Sequence, residues 1–371
     1  MYSLKSNTEW TLTQTLQPPA EDGLQNMYFG NGVNTYEEWT VSGAPGYVSS
    51  GQQAGFSGAD AGVLYVYQLD SSSGLWSQHQ RLVPSQNFKN QQFGYSSRVT
   101  TNAAGAVWLI TGAPSYYYVY SGLYVPIGAT FIYELLNDAW TQNALLLSPT
   151  STGPFPLSQS FFGYATSIDG DYAVVGAPLA SVSVNSVSYL RMGAAFVYSY
   201  STSSNSWSQI GGQLQSINAD QYLGFGASVA LHNGYAVVGQ TGKPFCSGAS
   251  CSTYESVQIY TLNGNTVTFE QTLLPGTAGI GYGMSVAIND NYVIVGAPYA
   301  DSNSGNVYLY ELTATAGWSQ LAIMYIDDGS GANAQYGYRS SLSTFNDYTN
   351  IGAFGYCKCE SYGDASMLQI T

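Results

Sequence analysis

Short runs of apolar residues recur along the whole chain, separated by stretches rich in Gly, Ser, Thr, Asn and Asp. Tyr172-Ala173-Val174-Val175 and Ala194-Ala195-Phe196-Val197-Tyr198 are two of them. Runs this short, bounded by turn-forming residues and lacking a helical period, predict β-strands. Their apolar residues are consecutive rather than alternating, so both faces of each strand must be covered. The chain therefore reads as all-β, built from sheets that lie between other sheets.

A longer period organises these runs. An aromatic followed by Gly occurs at Phe29-Gly30, Phe93-Gly94, Phe162-Gly163, Phe225-Gly226, Tyr282-Gly283 and Tyr336-Gly337, at spacings of 64, 69, 63, 57 and 54 residues. Each is followed by a second motif: Gly43-Ala44-Pro45, Gly112-Ala113-Pro114, Gly176-Ala177-Pro178, Gly239-Gln240, Gly296-Ala297-Pro298 and Gly352-Ala353-Phe354. A third motif is an apolar run such as Gly62 to Tyr67, Gly193 to Tyr198 or Ser366 to Ile370. A fourth starts at an aromatic, Trp10, Trp76, Trp140, Trp207, Phe269 or Trp318, most with Gln two residues later.

Each repeat thus predicts four strands, A to D. Small residues on A suit crowding near an axis, and Trp on D suits a wide outer edge. The fold class expected is a six-bladed β-propeller of four-stranded antiparallel blades. It forms one domain over residues 1–371, with blades at about 18–82, 83–146, 147–214, 215–274, 275–323 and 324–371. The chain starts with a D-type strand and ends with a C-type strand. The N-terminal strand, residues 8–17, is therefore expected to close the last blade and remove its open edge. The same ends would allow strand donation to a neighbouring molecule, giving a polymer.

The combination of Phe-Gly-x-Ser, Val-Val-Gly-Ala-Pro and Gly-x-x-x-x-Tyr resembles the FG-GAP repeat of integrin alpha-subunit propellers and of many bacterial and protist surface proteins. It is clearest at Phe162 to Pro178 and Tyr282 to Pro298. The resemblance implies a propeller used for adhesion or protein recognition. Integrin propellers have seven blades, and many of their repeats hold calcium between A and B. Here the A–B turns are short, as at Asp169-Gly170-Asp171 and Asn289-Asp290-Asn291, and two carboxylates fall short of calcium's six to eight oxygens. They read as hairpin turns, and this chain resembles the short, calcium-free repeat.

Composition narrows the partners. Charged residues are 8% of the chain, the net charge is -14, and 33 tyrosines share the polar role with hydroxyls and amides. Without a basic patch, nucleic acid is excluded as a partner. No apolar run approaches the ~20 residues that span a bilayer, so membrane insertion is not expected. Met1 to Ala20 shows no signal-peptide pattern. Cys246 and Cys251 flank a four-residue loop that a disulfide could close, as in an oxidising compartment, whereas Cys357 and Cys359 have only Lys358 between them. Convergence of all four thiolates on zinc is the rival reading; no metal or cofactor is expected.

The long B–C connections supply the candidate binding surface, above all Tyr116, Tyr117, Tyr118, Tyr120 and Tyr124. His79 and His232 fall in different repeats, without evident acidic partners, and read as incidental. No catalytic residues are assigned, and no enzyme is expected. The expected role is an extracellular or cell-surface adhesion or recognition scaffold with a protein or glycan ligand. A self-associating filament or sheath subunit is the alternative. A sialidase-like glycan hydrolase is more remote, suggested by the Asp-box-like turn Asp70-Ser71-Ser72-Ser73-Gly74-Leu75-Trp76.

Overall fold

The structure is a computed structural model. It describes residues 2–6, 9–22, 27–47, 61–84, 91–120, 123–149, 160–242, 254–276, 280–325, 342–345, 348–352 and 365–369. Among these residues, five antiparallel sheets of four strands follow one another, each in the order A-B-C-D. The first consists of Val33–Tyr36, Trp39–Ala44, Val63–Asp70 and Leu75–Leu82. The second consists of Ser97–Thr101, Val107–Ala113, Ala129–Leu136 and Ala139–Leu147. The third is Ala165–Asp169, Tyr172–Ala177, Ala194–Ser201 and Ser206–Leu214. The fourth is Phe225–His232, Tyr235–Gln240, Ser256–Asn263 and Thr266–Leu273. The fifth is Ser285–Ile288, Tyr292–Ala297, Asn306–Thr313 and Gly317–Tyr325. A further sheet has three strands, Leu342–Phe345, Tyr348–Gly352 and Ala365–Gln369.

Strand A of each sheet lies against strand A of the next, whereas neighbouring D strands touch sparsely. The sheets therefore fan outward from A, the radial arrangement of a β-propeller. Strands B and C are buried almost throughout, as their unbroken apolar runs require.

Glycine makes the inner packing possible. A Cβ placed on Gly43, Gly112, Gly176 or Gly239 of strand B would overlap the backbone of Gly94, Gly163, Gly226 or Gly283 in the next repeat. A Cβ on Gly62, Gly128 or Gly193, before strand C, would run into the backbone of Phe93, Phe162 or Phe225. Those three Gly–Phe pairs form parallel bridges between sheets. The aromatic ring then turns into its own blade, and Phe93 meets Phe131 edge-on at 5.1 Å. Both glycine motifs are thus contact points between successive blades.

The outer edges are stitched by glutamine. The Gln80 amide donates to the Trp140 carbonyl and accepts from the Trp140 N–H at 3.1 and 2.7 Å. Gln271 does the same with Trp318 at 2.7 and 2.9 Å. Trp140 also packs edge-on against Trp39 of the preceding sheet, and Trp207 against Trp108. The register corrects one assignment. Leu69 pairs with Trp76 and Leu312 with Trp318, but the matching Leu262 pairs with Val267. Val267 takes the tryptophan position of the fourth sheet, packed near Tyr172, and Phe269 lies 46% exposed.

The N-terminal segment pairs locally. Glu9–Leu12 pairs with Tyr2–Ser6 in a two-stranded sheet, and no pairing joins it to Ala365–Gln369 among the described residues. A hairpin partner a few residues away closes a shorter loop than one at the far end of the chain.

Candidate functional site

The two ends of the inner strands differ in chemistry. At one end emerge the B–C connections, which carry two hairpins that the sequence did not reveal, Tyr117–Tyr120 with Leu123–Pro126 and Val182–Val184 with Val187–Tyr189. Tyr116 precedes the first hairpin but is only 2% exposed and packs on Phe131 at 5.9 Å. It belongs to the core, which corrects its place among the binding tyrosines. Tyr117 and Tyr118 stand on the hairpin, Tyr118 being 42% exposed. Tyr120 and Tyr124 pair with Leu123 and Val119 through their backbones. Cys246, Cys251, Cys357 and Cys359 lie outside the described residues.

At the other end the A–B turns gather a row of polar side chains from successive sheets. Its origin is the free edge of strand A, whose inward N–H groups have no strand to pair with. A side chain from the preceding sheet supplies the acceptor. Asn34 Oδ1 accepts from the Val99 N–H at 2.9 Å, and Ser167 Oγ from the Leu231 N–H at 3.0 Å. One turn further along, Asp169 Oδ2 accepts from the Asn233 N–H at 2.7 Å.

Beyond Asp169 the row continues into a histidine–carboxylate pair. His232 ends strand A of the fourth sheet, and Asp290 sits in the A–B turn of the fifth. The His232 Nε2–H donates to Asp290 Oδ1 at 2.9 Å, and Asn233 Nδ2 donates to the same oxygen at 3.2 Å. Asn289 Oδ1 fixes that turn by accepting from the N–H groups of Asn291 and Tyr292. Asp290 thereby orients the imidazole and leaves Nδ1 as an acceptor. Both side chains reach solvent. An accessible imidazole held by a carboxylate is equipped to take a proton.

Arg98 stands at the start of the row. It occupies the position in the second sheet that Asn34 and Ser167 occupy in the first and third, four residues past the motif glycine. Its side chain makes no hydrogen bond, and no ion pair within 4 Å, among the described residues. Burial pushes the guanidinium pKa down, and the Asp169 carboxylate opposes that.

The remaining candidates have structural roles. His79 bonds the Asp138 carbonyl at 3.1 Å and packs edge-on against Trp39 at the outer edge. Arg81 lies over Tyr47 and beside Asp22, which also accepts from the hydroxyls of Tyr47 and Tyr65. Asp70 accepts from the Ser72 side chain and backbone and from Ser73, which lowers its pKa to about 2 and ties the C–D turn. No cluster of three or more His, Cys, Asp or Glu able to hold a metal ion occurs among the described residues. Among them, no helix is long and apolar enough to cross a membrane.

The row escaped the sequence reading because its members come from different repeats. His232 and Asp290 are 58 residues apart. The signal was present in the register: they stand six and seven residues past Gly226 and Gly283.

Comparison with known proteins bears on these sites. The FG-GAP repeat model matches residues 269–310, the stretch holding Tyr282-Gly283 and Gly296-Ala297-Pro298, consistent with the resemblance read from the motifs. No curated protein matches the sequence. Many solved structures do match in fold. One is a "putative 6-phosphogluconolactonase" from Bacteroides uniformis, with a TM-score of 0.51 and 10% identity, over 92% of this chain and 85% of that one. Another, described in the same words, is from Bacteroides fragilis, with a TM-score of 0.50 and 9% identity, over 92% and 84% of the two chains. At such identity the likeness is one of fold.

It overturns the expected function. The adhesion or recognition scaffold, with its filament and sialidase-like alternatives, was inferred from a fold and its family. These solved structures share the fold over most of both chains and are described as lactonases. A propeller holds its blades together in the same way whatever its loops do, so the FG-GAP glycines carry no information about adhesion.

Proposed function

We propose that this propeller acts on a small carbonyl compound of the sugar-lactone class, at the A–B-turn end of the inner strands. The observation that carries this reading is the His232–Asp290 pair, 2.9 Å apart on adjacent sheets and open to solvent. In this reading His232 Nδ1 takes a proton from water as the water adds to the lactone carbonyl, and Asp290 stabilises the imidazolium that results. On collapse of the tetrahedral adduct the ring C–O bond breaks as the imidazolium returns that proton to the leaving ring oxygen. Asn233 keeps the carboxylate in place from below. The substrate class comes from the description of the two similar solved structures, and the residues are this chain's own.

The test is hydrolysis of 6-phosphogluconolactone and of the unphosphorylated gluconolactone, followed by acid release at constant pH. The expected result is a rate above spontaneous opening, with His232→Asn lowering kcat about 100-fold in a protein that still folds. No rate above background for either lactone, or a rate indifferent to His232→Asn, would overturn the reading.

We infer as well that the blades number six and that the N-terminal segment closes the ring. Gln14 supports this. Its amide donates to the Trp76 carbonyl at 2.7 Å and accepts from the Trp76 N–H at 2.8 Å. Gln80 grips Trp140 and Gln271 grips Trp318 in the same way, and both are D-strand residues of the preceding sheet. Gln14 therefore stands where the D strand ahead of the first sheet belongs, and among the described residues the last sheet has three strands, without a D strand.

A further inference from the structure

At one interface the inner-strand edge carries a cation where two other interfaces place an acceptor. At the interface of the first and second sheets, and of the third and fourth, the residue four past the motif glycine accepts a hydrogen bond from the next strand's N–H: Asn34 from Val99, and Ser167 from Leu231. At the interface of the second and third sheets that residue is Arg98. A guanidinium has five donors and no acceptor. The N–H in question is that of Ile168, which the register places level with Val99 and Leu231: Val99 pairs with Leu109, Ile168 with Ala173 and Leu231 with Ala236. Among the described residues no side chain accepts from Ile168. Arg98 lies on the side of its sheet that faces the third, since its cross-strand partner Ile110 packs in the cluster with Phe162 and Ile168.

Two donors without an acceptor among the described residues, one of them charged, thus face the same interface, at a position where the first–second and third–fourth interfaces supply an oxygen and the fourth sheet has Ala230. The geometry points to Arg98 and the Ile168 N–H as the seat of a single oxyanion group, carboxylate or phosphoryl, on the ligand of this propeller. The assignment rests on the small-molecule reading above and names the ligand's charged end. An oxyanion accepts from both donors at once, with the guanidinium bond charge-assisted. Asp169 faces the seat from the third sheet, but its Oδ2 is engaged by the Asn233 N–H. A net charge of -14 repels anions at long range, so the seat suits one anionic group on an otherwise neutral, hydroxylated ligand. The row then runs from this anchor through Asp169 and Asn233 to His232.

The experiment titrates the full chain with inorganic phosphate, and separately with acetate, reading the heat of binding and the thermal midpoint. Arg98→Asn installs the side chain that Asn34 uses to accept the neighbouring N–H. It is expected to hold or raise the midpoint in phosphate-free buffer and to weaken anion binding at least about tenfold. Arg98→Met removes the charge at similar length and is expected to lose the same binding. A response to phosphate alone marks a phosphoryl seat, and a response to acetate as well marks a carboxylate-tolerant one. Absence of binding of either anion to the native chain, or equal binding to both variants, overturns the seat. Because no turnover is measured, that failure leaves the His232 reading standing. Anion binding without lactone hydrolysis sinks the His232 reading and spares the seat.

Discussion

Gly176 faces the backbone of Gly226, not a side chain that could turn aside. Added bulk at such a point must push two blades apart, because packed interiors have little slack. Gly176→Ala is therefore expected to cost about 3 kcal/mol, read as a lowered denaturation midpoint. Gly212 supplies the control: it stands on a D strand with open space where an added methyl group would go, so Gly212→Ala should be neutral or slightly stabilising. Equal losses at the two positions would mean that the inter-blade contact is not what the motif glycine serves. The same scale holds Tyr28, Gln92 and Phe161, each just before a motif aromatic and each with a positive φ, of 53°, 59° and 56°. Gly224 and Gly281 take that position in later repeats, at 63° and 73°, so the bend is required by the connection and tolerated without glycine.

Between elements, the D strands depend on side chains because they lie too far apart to share a ladder. Gln271 returns both backbone bonds of Trp318, while Gln209 on the third sheet is exposed and makes no such bond among the described residues. Gln271→Ala should cost about 1–2 kcal/mol, and Gln209→Ala less than about 0.5 kcal/mol, in chemical denaturation. A loss of equal size at both would assign the effect to strand propensity instead. The fourth sheet shows how the outer edge adapts. With Val267 in place of tryptophan, Tyr172 of the third sheet extends its hydroxyl to the Gly264 carbonyl at 3.1 Å, and Gly211 settles against Val267.

For the whole molecule the open question of stability is the meeting of the two chain ends. A propeller with a missing outer strand exposes a sheet edge, and exposed edges associate. Deleting residues 1–17 removes the Gln14–Trp76 bonds and any closing strand together. The shortened chain is expected to melt at a lower temperature and to elute as dimers or larger species in size-exclusion chromatography. An unchanged midpoint with monomeric elution would show that the ring does not use this segment.

The sequence alone determined the five four-stranded sheets and their order. Strand identity follows from local facts: a run of Val, Ile, Tyr and Ala with Gly or Asn at each end has few other conformations that bury it. Repetition then multiplied a weak signal, which is why the Phe-Gly and Gly-Ala-Pro motifs point to strands A and B from their order along the chain. Phe269 was taken for Val267 because the reading followed residue type, whereas register decides and pairs Leu262 with Val267. Tyr116 was misjudged because a loop tyrosine and a core tyrosine look alike until the Phe131 ring is seen beneath it. The candidate site was decided by tertiary structure alone. Arg98, Asp169, His232 and Asp290 each come from a different repeat, and nothing local ties them together. They converge because inner strands pack side by side about a common centre, which turns equal positions in successive repeats into neighbours in space.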